Sequence, residues 1–162
     1  VARLSEAGVE STTYFETTGW RGVMETEDGS KLPARFPSMP GMVFPVYHVL
    51  ADIGDFTGGQ ILDTSSSAPL VLYGLTVKSD SSLRTLIANL SAESIEVRVK
   101  ASELEGKGFE AGSLRILDEN TVEEACKDPA AFQNRRKRLS LTNGELRLQL
   151  LPYAFASIDW EE

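Results

Sequence analysis

The residues best suited to chemistry lie close together near the start of the chain, in the run Ser11-Thr12-Thr13-Tyr14-Phe15-Glu16-Thr17-Thr18-Gly19-Trp20-Arg21-Gly22. Glu16 ends a stretch of hydroxylic, β-branched and aromatic residues of the kind that forms a strand. A carboxylate there can act as base, acid or nucleophile. Trp20 offers a flat apolar face on which a sugar ring can stack, and Arg21 a guanidinium that can hold an oxyanion. Spacing alone favours the plainer alternative, a strand-end Glu16 simply paired with the nearby Arg21.

Other constellations are weaker. Asp52 and Asp55 could bind a hard cation, but two carboxylates at that spacing are common on wet helix faces. His48 is the only histidine, which excludes any site needing two from one chain. It falls inside a helical pattern, where a lone histidine is more often structural. Cys126 is the only cysteine, so no intrachain disulfide or thiolate metal cluster can form. It reads as a small packing residue, and its solitude fits a reducing, cytoplasmic setting. Gly58-Gly59 runs into a strand and so is no phosphate cradle. No serine sits in a nucleophile elbow. Asn89-Leu90-Ser91 matches a glycosylation triplet that also arises by chance. No metal or cofactor is expected.

The totals bound the rest. A chain of 162 residues with 41% hydrophobic and 25% charged residues suits one ordinary domain, or a small domain with an appendage. A formal charge of −8 argues against a nucleic-acid or anionic-membrane surface. No apolar run approaches the ~20 residues that span a bilayer. Arg135-Arg136-Lys137-Arg138, the one basic cluster, reads as a solvated loop. The chain opens without an initiator Met and without an apolar leader, so a processed chain or an excised fragment is expected.

The elements that must hold these residues follow in order. Ala2 to Ala7 reads as a helix end with Gly8 as its stop, and Ser11 to Phe15 as a strand. Thr17 to Met42 is a long loop broken by Gly and Pro, the kind that is usually functional or poorly ordered. From Pro45 to Phe56, Val46, Val49, Leu50 and Ile53 recur at helical spacing behind a first-turn proline. Past Gly58-Gly59 short strands alternate with turns: Gln60 to Thr64, Leu70 to Lys78, Leu83 to Leu90, Ile95 to Lys100 and Ser113 to Leu117. Asp118 to Phe132 is a helical interruption with a capping-box spacing at Asn120 and Glu123 and a second cap at Asp128-Pro129. Asn143-Gly144 predicts a type I′ hairpin joining Leu139–Leu141 to Leu146–Leu150. Pro152 to Trp160 closes the chain as a strand, with Pro152 favouring an edge or a strand start. The expected fold is mainly β, an antiparallel β-sandwich with a small helical insert preceded by a βα remnant of a TIM-type barrel.

Three patches carry a resemblance: Thr13 to Gly22, Phe44 to Asp52, and Leu117 to Thr121 continuing to Asp128 to Phe132. Together they resemble the C-terminal part of bacterial D-apionate lactonase-like proteins, which pair a glycoside-hydrolase-related TIM barrel with a C-terminal β domain. The resemblance implies residues 1–57 as the last βα part of a barrel and 58–162 as the sandwich. It also implies hydrolysis of a small sugar-derived lactone, with the β domain in support. Glu16 is then the catalytic residue, a general base rather than a nucleophile inherited by position, and Trp20 and Arg21 bind substrate. A chain unable to close a barrel is expected to be inactive alone and to bury its orphan βα unit on the sandwich or by self-association. Two alternatives stay open. One is a non-catalytic carbohydrate-binding or protein-interaction module, which needs Tyr73, Tyr153, Phe155 and Trp160 exposed on one sheet face. The other is part of a glycoside hydrolase.

Overall fold

The computed structural model describes residues 2–13, 16–100 and 109–161. The chain divides into two compact units, Val1–Asp55 with Asn120–Asn134, and Phe56–Glu119 with Arg135–Glu162.

The first unit holds four short helices among its described residues: α1 (Ala2–Glu6), α2 (Pro45–Gly54), α3 (Val122–Lys127) and α4 (Pro129–Asn134). At the end of α1, Gly8 N–H donates to Ser5 O and Val9 N–H to Leu4 O, which satisfies the last carbonyls. The strand expected at Ser11–Phe15 does not form over Ser11–Thr13, and Tyr14 and Phe15 lie outside the described residues. A strand needs a hydrogen-bonding neighbour, and no strand pairs with Ser11–Thr13 among the described residues.

Helix α2 starts with its proline as expected, but its buried positions are His48 and Asp52, and Val46 is exposed. The apolar stripe is therefore not the face most deeply packed. His48 Nε2 lies 3.0 Å from Ala125 O, and Nδ1 lies 3.1 Å from Gln133 Nε2. A carbonyl only accepts, so Nε2 carries the proton and Nδ1 accepts from the amide. One neutral tautomer thus ties α2 to α3 and α4, and the Phe132 ring packs edge-on to the imidazole at 4.7 Å. At α3 the N-cap is Thr121, without a side-chain cap bond, rather than Asn120. The second cap forms as expected: Ala131 N–H donates to Asp128 Oδ1 at 2.9 Å.

The second unit is an antiparallel sandwich. One sheet runs β1 (Gln60–Leu62), β2 (Leu72–Lys78), β3 (Leu83–Asn89), β8 (Phe155–Glu161), β5 (Ala111–Leu117) and β6 (Lys137–Ser140). The other pairs β4 (Ile95–Lys100) with β7 (Glu145–Leu150). Alternation on β4 and β7 turns Val97, Leu146, Leu148 and Leu150 inward. There they meet Ile87, Leu114, Ala156, Ile158 and Trp160 from the larger sheet. Each large side chain so buried contributes about 1.5–3 kcal/mol. Trp160 Nε1 donates to Thr85 Oγ1 at 2.8 Å, so the buried indole keeps a partner. Gly112 lies where β8 closes on β5: a Cβ there would stand 2.9 Å from Ile158 Cγ2.

Three expectations change here. Asn143 (φ 54) and Gly144 (φ 73) do form a type I′ turn. The predicted hairpin nevertheless stops at the Thr142–Glu145 bridge, after which β6 pairs with β5 and β7 with β4. The turn is a local choice of φ, whereas pairing follows the apolar faces, and Leu146, Leu148 and Leu150 fit the second sheet. The closing strand β8 is central, between β3 and β5, and starts only after Pro152. The basic run is not a solvated loop. The Arg136 side chain is mostly buried and donates to Ser113 O at 3.1 Å, while Lys137 and Arg138 belong to β6.

Candidate functional site

The Gly- and Pro-rich loop is a hydrogen-bonded structure. Thr17 O accepts from Val23 N–H at 2.9 Å and from Met24 N–H at 3.3 Å, and Gly19 N–H donates to Met24 O at 2.8 Å. These bonds fold residues 17–24 into a tight turn that presents Trp20 and Arg21. Glu25 N–H then donates to Met42 O at 2.7 Å, and Phe44 N–H to Val23 O at 2.9 Å. Val43 N–H donates to Cys126 O at 3.0 Å, which fixes the far end of the loop to α3.

On this frame Glu16, Trp20 and Arg21 come together. Arg21 Nε donates to Glu16 Oε2 at 3.1 Å, and Nη2 pairs closely with Oε1, a two-point clamp. The Arg21 side chain is 60% exposed and that of Glu16 37%, so the pair contributes at most about 1 kcal/mol and serves chiefly to orient. The guanidinium also lies over the Trp20 ring, 5.1 Å from its centroid. Phe36 stacks on that indole at 4.5 Å and 13°. One face of Trp20 is therefore already taken.

Beside this group lies a cleft of about 220 Å³. Trp20, Phe36 and Phe44 give it aromatic walls, and Glu25, Ser38 and Arg35 give it polar ones. Glu25 is buried and accepts from Ser38 Oγ at 2.6 Å and from Thr26 N–H at 2.9 Å. The Ser38 hydroxyl, and after it the Thr26 amide, holds this carboxyl below the ordinary carboxylate range. Sequence reasoning missed Glu25, Arg35, Phe36 and Ser38, because an irregular loop has no period from which to read them. The available signal was an aromatic between an arginine and a proline in a loop expected to be wet.

The remaining candidates are accounted for structurally. His48 is fully buried, with the Ala125 carbonyl and the Gln133 amide among its partners. Cys126 is buried, and burial pushes its thiol up, away from the reactive thiolate. Asp52 is buried in α2, and no group of three metal-ligating side chains occurs among the described residues. Trp160 is buried, Tyr73 and Phe155 are half-buried, and Tyr153, which lies outside the strands, is exposed. Those four aromatics therefore form no exposed row on a sheet face. Among the described residues no helix is long and apolar enough to cross a membrane.

Residues 69–158 match the family model for the D-apionate lactonase C-terminal immunoglobulin-like domain. Residues 1–58 match the model for the D-apionate lactonase TIM barrel domain. Among solved structures, a GH30 endoxylanase from Clostridium papyrosolvens C71 superposes with a TM-score of 0.57 at 11% identity, covering 74% of this chain and 28% of that one. The GH30 subfamily 8 xylanase Xyn30A from Clostridium acetobutylicum gives 0.53 at 12% identity, covering 71% and 27%. At such identities the likeness is one of fold, and the chain spans little more than a quarter of either xylanase. No curated protein sequence matches the chain significantly.

Proposed function

The chain belongs to the D-apionate lactonase family, and from that membership we propose that it forms the C-terminal portion of a carbohydrate-active hydrolase whose substrate is a sugar-derived lactone. The observation that carries this reading is that two parts of one enzyme family match in order along a single chain. Residues 1–57 then contribute barrel structure, and residues 58–162 carry the supporting sandwich, with the helical insert Asn120–Asn134 grouped with the first unit. A bacterial cytoplasmic setting belongs to the same proposal.

In this reading Glu16 is the general base. It takes a proton from water as the water oxygen attacks the lactone carbonyl carbon. The oxyanion that forms is met by Arg21, whose guanidinium has five N–H groups; the Nε and Nη2 contacts to Glu16 leave others to turn toward substrate. Collapse of the tetrahedral intermediate breaks the ring C–O bond, and the departing alkoxide recovers the proton from Glu16. One water is consumed, and the product is an open-chain hydroxy acid. Trp20 packs against the substrate through the part of its indole that Phe36 and the Arg21 guanidinium leave uncovered. A single carboxylate is enough for this chemistry, whereas glycoside hydrolysis requires two.

Glu16→Gln, made in the polypeptide that carries the complete barrel, tests the assignment. It keeps the shape and an acceptor for Arg21 but removes the base. Turnover of the lactone is expected to fall by about a hundredfold or more, the usual range for loss of a general base. Near-normal turnover would sink it.

A further inference from the structure

We infer that the cleft between the Trp20–Phe36 stack and Glu25 is a binding subsite for a small polyhydroxy carboxylate, with Arg35 as the residue that recognises the carboxylate. The inference rests on the lactone-hydrolase reading for its choice of ligand and on the cleft itself for the binding chemistry. Three observations converge.

First, among the described residues nothing hydrogen-bonds or ion-pairs with the Arg35 guanidinium. Arg21, by contrast, is already clamped on Glu16. An exposed arginine lining an aromatic cleft and lacking a carboxylate of its own is suited to one brought by a ligand, which it can grip through two parallel N–H bonds. Second, the buried wall is an acceptor. Glu25 already receives Ser38 Oγ and Thr26 N–H, yet a carboxylate has about four lone-pair sites, and Ser38 Oγ can itself accept. That wall takes hydroxyl donors and repels a second carboxylate. Third, a volume of about 220 Å³ fits one small ligand rather than an oligosaccharide.

The two ends together orient the ligand, carboxylate outward on Arg35 and hydroxyls inward on Glu25 and Ser38, with its C–H surface against Phe36. This polarity matches the hydroxy acid released by lactone opening better than the neutral lactone, which lacks the charge for Arg35. The subsite therefore retains product.

Calorimetric titration of the 162-residue chain with sodium D-apionate, and in parallel with neutral xylitol, tests this. The acid is expected to bind more tightly than the polyol and to weaken with added salt. Arg35→Ala should weaken acid binding about tenfold, Arg35→Lys should recover part of the loss, and binding of xylitol should be unchanged by either. Arg35 is exposed, so neither variant threatens folding. Equal affinity for acid and polyol, acid binding indifferent to Arg35, or no acid binding at about 10 mM each overturns the inference. Acid binding through Arg35, with no lactone opened by the polypeptide that carries the complete barrel, would refute the proposed function and leave the subsite standing. Lactone hydrolysis with acid binding insensitive to Arg35 would do the reverse.

Discussion

Asp159→Ala is expected to destabilise the β unit by about 3 kcal/mol. Asp159 sits on the central strand β8 and is the shared anion for two guanidinium groups. Arg84 Nε donates to Oδ1 at 2.5 Å and its Nη2 to Oδ2 at 3.2 Å, and Arg136 Nη2 meets Oδ2 at 3.1 Å. The side chains of Arg84 and Arg136 are only 10% and 16% exposed. Both would lose this carboxylate while staying largely out of water, which is what makes breaking a buried pair expensive. The Asp159 side chain is itself 33% exposed, and Arg136 keeps Ser113 O and Ser157 O as acceptors. The estimate therefore stands at the low end of the range for buried pairs. Urea unfolding followed by fluorescence of buried Trp160 measures it. A loss under about 1 kcal/mol would show that the three groups behave as an ordinary surface cluster.

Asn89→Ala carries a comparable penalty, about 3 kcal/mol, through hydrogen bonds rather than charge. The side chain is 2% exposed at the end of β3. Its Nδ2 donates to Glu93 O and Leu151 O, each at 2.8 Å, and its Oδ1 accepts from Ser91 N–H at 3.0 Å and Ser91 Oγ at 2.8 Å. One amide thus closes the turn between β3 and β4 and fastens it to the segment leading into β8. Alanine takes the acceptor from the Ser91 amide and one donor from each of two carbonyls, which keep only the longer bonds from Ser91 Oγ to Glu93 O at 3.3 Å and from Ala154 N–H to Leu151 O at 3.1 Å. Asn89→Asp keeps the acceptor but aims a carboxylate at two carbonyl oxygens, and is expected to be at least as damaging. An Asn89→Asp variant as stable as the parent would contradict the network. In the folded chain the Asn89-Leu90-Ser91 triplet is a structural motif, its amide nitrogen engaged on both hydrogens.

The β unit was largely legible because its strands carry their own period. Alternation in Ile95–Lys100 and Leu146–Leu150 reports one packed face and one wet face, and the burial follows it. Strand partners were less legible. Asn143-Gly144 specifies a turn conformation, but the choice of neighbour is made by distant apolar faces, so β6 and β7 part after one bridge. The Arg135–Arg138 run misled for a related reason. Charge reads as solvated unless a carboxylate elsewhere in the sequence draws it in, and the half-buried Asp159 is such a partner. At the candidate site, nearness in sequence correctly brought Glu16 and Arg21 together. Glu25, Arg35 and Ser38 converge only through the backbone bonds of the 17–44 loop, which no local pattern announces. The helical interruption was visible as a break in β character. Its packing on α2 depends on His48, Ala125 and Gln133, residues far apart in the chain.

The central claim is the chemistry, and the most direct test is a side-by-side hydrolysis assay of the barrel-containing polypeptide on D-apionate lactone and on aryl glycosides. Ring opening of the lactone, seen as one equivalent of acid released per substrate consumed, with no aryl alcohol set free from the glycosides, is the expected result. Release of aryl alcohol with the lactone left intact would contradict it and move this chain among the glycoside hydrolases whose fold it shares.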